Sequence, residues 1–280
     1  MVLTYPQGEK DVEREEVILR VQGYVVNLNL PPVLSRTQVP RQPDHAQQFI
    51  TISGIGGEQF AKAAVAIGEI HSLFESECAV DRLNKWEPKR SRQHIVLTFS
   101  NRYFSTETDT SPEDIQDFPE EWDPLSILRR NVPTGIHSSD NKVLYFEKRR
   151  VAGREKYTHI PVQPTAIKVG QLVELQGTFC AVPTSRNKYT MLMKLRSACI
   201  LSHIVESVRP SEYTQKPQLR NLAQDFNRAR IERLTNIPET SMGPLKRRVG
   251  YRDTDKGEDL TGTEMKRLRL DSETMEEDNN

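Results

Sequence analysis

Residues 167–201, IKVGQLVELQGTFCAVPTSRNKYTMLMKLRSACIL, constrain the fold more than any other stretch of this chain. Two runs of alternating apolar and polar side chains flank the short polar segment Thr184-Ser185-Arg186-Asn187. That pattern predicts a long β-hairpin, because successive strand side chains point to opposite faces. In the first arm Val173, Leu175, Phe179 and Ala181 share the core-facing side, and Gly177 among them marks a bulge or barrel corner. In the second arm Tyr189, Met191, Met193, Leu195, Cys199 and Leu201 are expected to share a face. The opposite face carries Lys188, Thr190, Lys194 and Arg196. Those cations are either a solvated outer face or a phosphate-facing surface.

The same periodicity organises the rest. Strands are expected at 17–28, 48–53, 93–100, 142–150 and 156–162. Between the second and third, residues 58–84 carry a helical period, with Phe60, Ala63, Ala64, Ile67, His71, Phe74 and Cys78 on one face. His71 on that face reads as a satisfied core histidine. Residues 111–130, acidic and interrupted by Pro119 and Pro124, should form one or two short helical turns. The expected class is therefore mainly β with helices (α+β), in the form of an OB-like barrel with a long helix between strands. A flexible N-terminus covers 1–16, and the globular domain spans 17–210, either as one unit or split near 105–140. An amphipathic helix is expected within 211–238, its stripe of Leu219, Leu222, Phe226 and Ala229 in 217–237, and a disordered tail from 239 to 280.

Composition limits function. Among 280 residues the formal net charge is zero, which argues against a uniformly basic nucleic-acid binder but not against a local patch. The three cysteines form no CxxC pair, and an odd count in apolar settings favours reduced thiols in an intracellular home. The six histidines show no metal-ligand spacing, so neither a metal nor a cofactor is expected. No run approaches the roughly 20 apolar residues of a membrane helix, so no membrane partner is expected.

Three candidate sites remain. Strand, Gly54-x-Gly56-Gly57, then helix resembles a dinucleotide-binding turn, but Gln59 stands where the full motif needs a third glycine. A nucleotide-using enzyme is accordingly the least favoured function, and no serine, histidine or acid stands in a catalytic spacing. The second candidate interleaves rings with cations: Tyr145, Lys148, Arg149 and Arg150, then Arg154, Lys156 and Tyr157, then Arg186, Lys188 and Tyr189, then Lys194 and Arg196. Single-stranded nucleic acid is held in this way, by bases stacked on rings while cations track the backbone. Zinc-finger, RRM and helix-turn-helix patterns are absent. The third candidate is nuclear import, through an import receptor, on Lys246, Arg247, Arg248 and Lys266, Arg267, Arg269.

Several separated stretches recur together: Trp122-Asp123-Pro124-Leu125, His137-Ser138-Ser139-Asp140-Asn141, Val143-Leu144-Tyr145-Phe146, Val169-Gly170-Gln171-Leu172, Lys188-Tyr189-Thr190-Met191 and Lys246-Arg247-Arg248-Val249-Gly250-Tyr251. Over 122–280 the chain resembles a multiply duplicated protein family of mushroom-forming (basidiomycete) fungi that carries no assigned activity. The resemblance implies an association with mobile elements. This chain has Ser138-Ser139-Asp140 where related copies show an His-Thr-Glu-Asp-Asn run. The leading expectation is a non-enzymatic nuclear protein that binds single-stranded DNA or RNA. The alternatives are a protein-interaction module docking through the 217–237 helix, with no nucleic-acid contact, and a cytoplasmic location.

Overall fold

The structure is a computed structural model that describes residues 1–4, 14–91, 93–105, 110–151, 157–184, 187–203 and 245–251. One compact unit covers Met1–Gly250; a second covers Tyr251–Asn280, of which only Tyr251 is described.

The strands are β1 (Arg14–Glu15), β2 (Leu19–Asn29), β3 (Gln47–Ser53), β4 (Lys89–Ser91), β5 (His94–Arg102), β6 (Leu144–Arg150), β7 (Tyr157–Pro161), β8 (Leu172–Pro183), β9 (Tyr189–Ser202) and β10 (Leu245–Lys246). The helices are α1 (Glu58–Glu77) and α2 (Ile127–Asn131). Eight strands lie in the order β4-β5-β3-β2-β8-β9-β6-β7, and a further pairing of β5 with β9 closes the middle five into a barrel. Taking β2, β3, β5, β8 and β9 as first to fifth, the order around the barrel is 1-2-3-5-4-1. The third and fifth pair in parallel at Ser100 and Lys194, the other neighbours antiparallel. That Greek-key order is the one an OB-type barrel has. The fold is mainly β with helices, as the alternation predicts.

The hairpin is the β8–β9 pair. Val173, Leu175 and Phe179 are fully buried, Ala181 nearly so, and all face the barrel core. The register slips between Gln176 and Gly177, where Arg196 is the extra residue. A Cβ on Gly177 would lie 2.5 Å from the Phe99 ring and 2.9 Å from the Lys194 carbonyl oxygen. The slip inverts parity along β9. Met191, Met193 and Leu195 face the core, but beyond Arg196 the core positions pass to Ala198 and Ile200. Cys199 is therefore not on the face expected for it; it pairs across to Glu174 on the outer side. All three cysteines are free thiols.

Helix α1 buries Ala64 and lays Phe60, Ile67 and Phe74 into the same core as Ile50, Ile52, Leu97 and Phe99. Each such side chain contributes on the order of 1.5–3 kcal/mol on burial. His71 on that stripe is satisfied: its Nε2 lies 3.0 Å from the Asn84 carbonyl. The helix stops at Glu77, short of the expected 84, because residues 82–84 leave it to meet β9. Leu83 bridges Tyr189, and the Asn84 N–H donates to the Tyr189 carbonyl at 2.8 Å.

Residues 103–132 with the β2–β3 connection build a second apolar cluster of Val33, Val39, Tyr103, Phe104, Phe118, Trp122 and Leu128. Tyr103, Phe118 and Trp122 meet edge to face, and His137 is held there by its Nδ1, 2.8 Å from the Tyr103 carbonyl. Where one or two short helical turns are expected, the described residues form three, Pro112–Asp114, Glu120–Trp122 and α2, in which the Ile127 and Arg129 N–H groups donate to the Asp123 carboxylate at 2.7 and 3.0 Å.

Candidate nucleic-acid interface

Strand β6 begins inside the fold and ends outside it. From Leu144 to Glu147 it pairs in parallel with residues 197–200 of β9; beyond that the register continues only to β7. A strand paired on one edge alone has no core to cover, and here the sequence turns to Lys148-Arg149-Arg150. Alternation divides these side chains. Phe146, Lys148 and Arg150 share one face with their cross-strand partners Pro161, His159 and Tyr157. Glu147 and Arg149 occupy the other.

On the first face Arg150 is exposed and Tyr157 is 52 % exposed. The Lys148 Nζ stands 4.5 Å from the Tyr157 ring centroid, a cation–π contact of about 0.5–1 kcal/mol at an exposed site. On the second face the Arg149 Nη2 donates to Glu147 Oε2 at 2.8 Å. The His203 Nε2 lies 2.9 Å from Glu147 Oε1. Gln171 fixes that imidazole: its Oε1 accepts from the Lys168 N–H at 2.8 Å, which leaves its Nε2 to donate to His203 Nδ1 at 3.0 Å. His203 Nδ1 thus accepts and Nε2–H donates. The bonds from Arg149 and His203 hold the Glu147 carboxyl down at about 2.

The structure does not bring the other expected binding residues to this surface. Tyr145 is buried in the barrel core, where its hydroxyl donates to Gln48 Oε1; no base can reach its ring. Tyr189 is half-buried against the core, its N–H donating to the Arg82 carbonyl at 2.7 Å. Lys188 is exposed beside the β8–β9 turn. From Tyr189 to Ile200, the partner of Glu147, β9 has a contour of roughly 35 Å at the usual strand rise, so Lys188 and the β6 cations mark different ends of it. Arg186 lies outside the described residues.

Lys194 and Arg196 do face outward from the barrel, but other parts of the chain cover them. Arg196 keeps only 2 % of its side chain exposed. Its Nη2 donates to Glu16 Oε1 at 2.6 Å and to Asp140 Oδ1 at 2.9 Å. Lys194 pairs with the other Asp140 oxygen. Arg247 closes the cluster, with Nε 3.0 Å from Glu16 Oε2 and Nη2 2.7 Å from Asp140 Oδ1. Burial alone would push the Asp140 carboxyl up. Lys194, Arg196 and Arg247 overcome it and hold the carboxyl well below the usual range. Burial likewise opposes the Arg196 charge, and Asp140 and Glu16 more than offset it. These two cations are structural, not ligand-facing.

The first basic cluster expected in a disordered tail is likewise folded in. Lys246 lies in β10, parallel to β1. Arg247 belongs to the buried cluster, Arg248 Nε pairs with Glu15 at 2.9 Å, and the Gly250 N–H donates to Gln176 Oε1 at 2.9 Å. Lys266, Arg267 and Arg269, and the 217–237 helix, lie outside the described residues. Residues 1–4, expected to be flexible, run along β8: the Leu3 N–H donates to the Phe179 carbonyl and Ala181 N–H to the Met1 carbonyl. Sequence reading missed Glu16, which looks like one more acid in Glu13-Arg14-Glu15-Glu16. It also left Asp140 without a role.

The glycine turn is a packing device. β3 and β5 pair antiparallel, whereas a dinucleotide-binding unit needs parallel strands around its helix. Gly54 has no room for a Cβ, which would meet that of Phe60 at 2.1 Å, and Ile55 and Gly56 take positive φ to turn the chain into α1. Among the described residues no cluster of histidine, cysteine and acid side chains could hold a metal, and no helix is long and apolar enough to cross a membrane.

No protein-family model matches this sequence, and no curated protein does. Among solved structures, the chain is similar to gp2.5, a single-stranded DNA binding protein encoded by bacteriophage T7. The match has 8 % identity and a TM-score of 0.31, and covers 66 % of this chain and 91 % of that one.

Proposed function

We propose that this protein binds single-stranded DNA or RNA on the Lys148–Arg150–Tyr157 face of the β6–β7 arm, without catalysing a reaction on it. The observation that carries the reading is the cation–ring unit: Lys148 Nζ lies 4.5 Å from the exposed Tyr157 ring, with Arg150 paired directly across from that tyrosine. An unstacked base can lie on the ring while the two cations meet flanking phosphates, the combination single strands require. A paired duplex offers no free base face to the ring. Arg154 and Lys156 add positive charge to the same connection in the sequence. Titration of a fluorescent oligonucleotide tests it: Tyr157→Ala and Lys148→Ala/Arg150→Ala should each weaken binding.

Nuclear entry is proposed through Lys266, Arg267 and Arg269 alone, since Arg247 and Arg248 are committed to ion pairs with acids of the folded unit. A fluorescent reporter carrying 252–280 should accumulate in nuclei, and alanine at those three positions should abolish the accumulation.

A further inference from the structure

We infer that Glu147 decides which face of the β6–β7 arm takes the nucleic acid, by holding Arg149 in an internal ion pair. The inference rests on the nucleic-acid reading above and adds to it the residue that sets its sidedness. Both carboxylate oxygens of Glu147 are engaged, Oε2 by Arg149 at 2.8 Å and Oε1 by His203 at 2.9 Å. The Glu147 side chain is only 14 % exposed beneath these partners, whereas that of Arg149 is 55 % exposed. His203 is itself oriented by Gln171, and Gln171 by the Lys168 N–H. The carboxylate is thus fixed in place by a chain of contacts reaching back to the start of β8.

A phosphate approaching that face meets a negative group and must take Arg149 from it. On the opposite face, among the described residues, neither Lys148 nor Arg150 pairs with a carboxylate. The three consecutive cations Lys148, Arg149 and Arg150 are therefore not equivalent: strand alternation places two on the open face and one beside its own counterion. A guanidinium released from its carboxylate presents a fork of donors that matches phosphate geometry. Removing the Glu147 charge should turn Arg149 into an added phosphate contact.

The test uses the full chain and a fluorescent single-stranded oligonucleotide of mixed sequence, titrated between about 50 and 200 mM salt, the range over which phosphate contacts are read from the salt slope. Arg149→Ala should bind within about twofold of wild type. Glu147→Gln should bind several-fold tighter at low salt, with a log–log salt slope steeper by about 0.7, the increment of one single-strand phosphate. Glu147→Gln/Arg149→Ala should return to the wild-type slope. Glu121→Gln, an exposed acid elsewhere, controls for net charge and should leave the slope unchanged. Glu147→Ala serves as a second variant in case the glutamine still holds the guanidinium, and thermal melts confirm folding of each. The inference is overturned if Arg149→Ala weakens binding and flattens the slope, or if neither Glu147 variant steepens it while Lys148→Ala/Arg150→Ala still weakens binding. If the wild type shows no salt-dependent binding at all, the nucleic-acid reading fails and this inference with it.

Discussion

Glu16 and Arg196 form an ion pair at 2.6 Å with their side chains 0 % and 2 % exposed, joining a residue ahead of the first barrel strand to the bulge of the last. Removing one member of a buried pair leaves the other charge poorly compensated and costs about 3–5 kcal/mol. Glu16→Gln should destabilise the protein by about that amount, read as a lowered urea midpoint with an unchanged m-value. A cost under about 1 kcal/mol would mean that Asp140 alone suffices for Arg196.

Asp140 links the same cluster to acid sensitivity. Its carboxyl pKa lies below the unfolded-state value of about 3.9, so the folded form binds its proton less readily than the unfolded one. The stability this contributes is complete above about pH 4 and is lost as pH falls toward the depressed folded value. Melting temperature followed from pH 6 to pH 2 should drop more steeply for wild type than for Asp140→Asn. The variant starts less stable at pH 6 and has less to lose.

Gly177 is required by its neighbours. The 2.5 Å and 2.9 Å approaches of a built Cβ are to the core ring of Phe99 and the backbone of Lys194, neither of which is a flexible side-chain end. Gly177→Ala should cost about 1–3 kcal/mol, as overpacking does. Unchanged thermal stability would show that β8 and β9 can separate locally.

Tyr145 separates folding from binding. Tyr145→Phe removes a buried hydroxyl and leaves the Gln48 amide oxygen without it, at a cost of about 1–3 kcal/mol. Oligonucleotide affinity measured well below the melting temperature should stay at the wild-type value.

The strands were legible because one buried face forces a period of two. Val173, Leu175, Phe179 and Ala181 read as core from the sequence and are core. The α1 stripe was legible for the same reason at a helical period. What failed depends on partners distant in sequence. Alternation marks Arg196 as outward-facing, but cannot show that Glu16 and Arg247 will cover that side. Tyr145 reads as part of a basic, aromatic run, yet β6 first runs beside β9 with Tyr145 in the core and then leaves it, and the change falls between Glu147 and Lys148. The one-residue slip at Arg196 inverted the β9 side chains from Ser197 to Ile200, which moved Cys199 to the outer face. Of the candidate site, the β6 cations were legible from composition. Which of them share a face with the Tyr157 ring needed the β6–β7 register.

The β6–β7 arm is most directly tested by the salt dependence of oligonucleotide binding in wild type and in Lys148→Ala/Arg150→Ala/Tyr157→Ala. Two phosphate contacts predict a wild-type log–log slope of about −1.4 or steeper, and loss of a stacked base with both cations predicts at least tenfold weaker binding and a flatter slope in the variant. A variant that binds as tightly as wild type with the same slope would contradict the account.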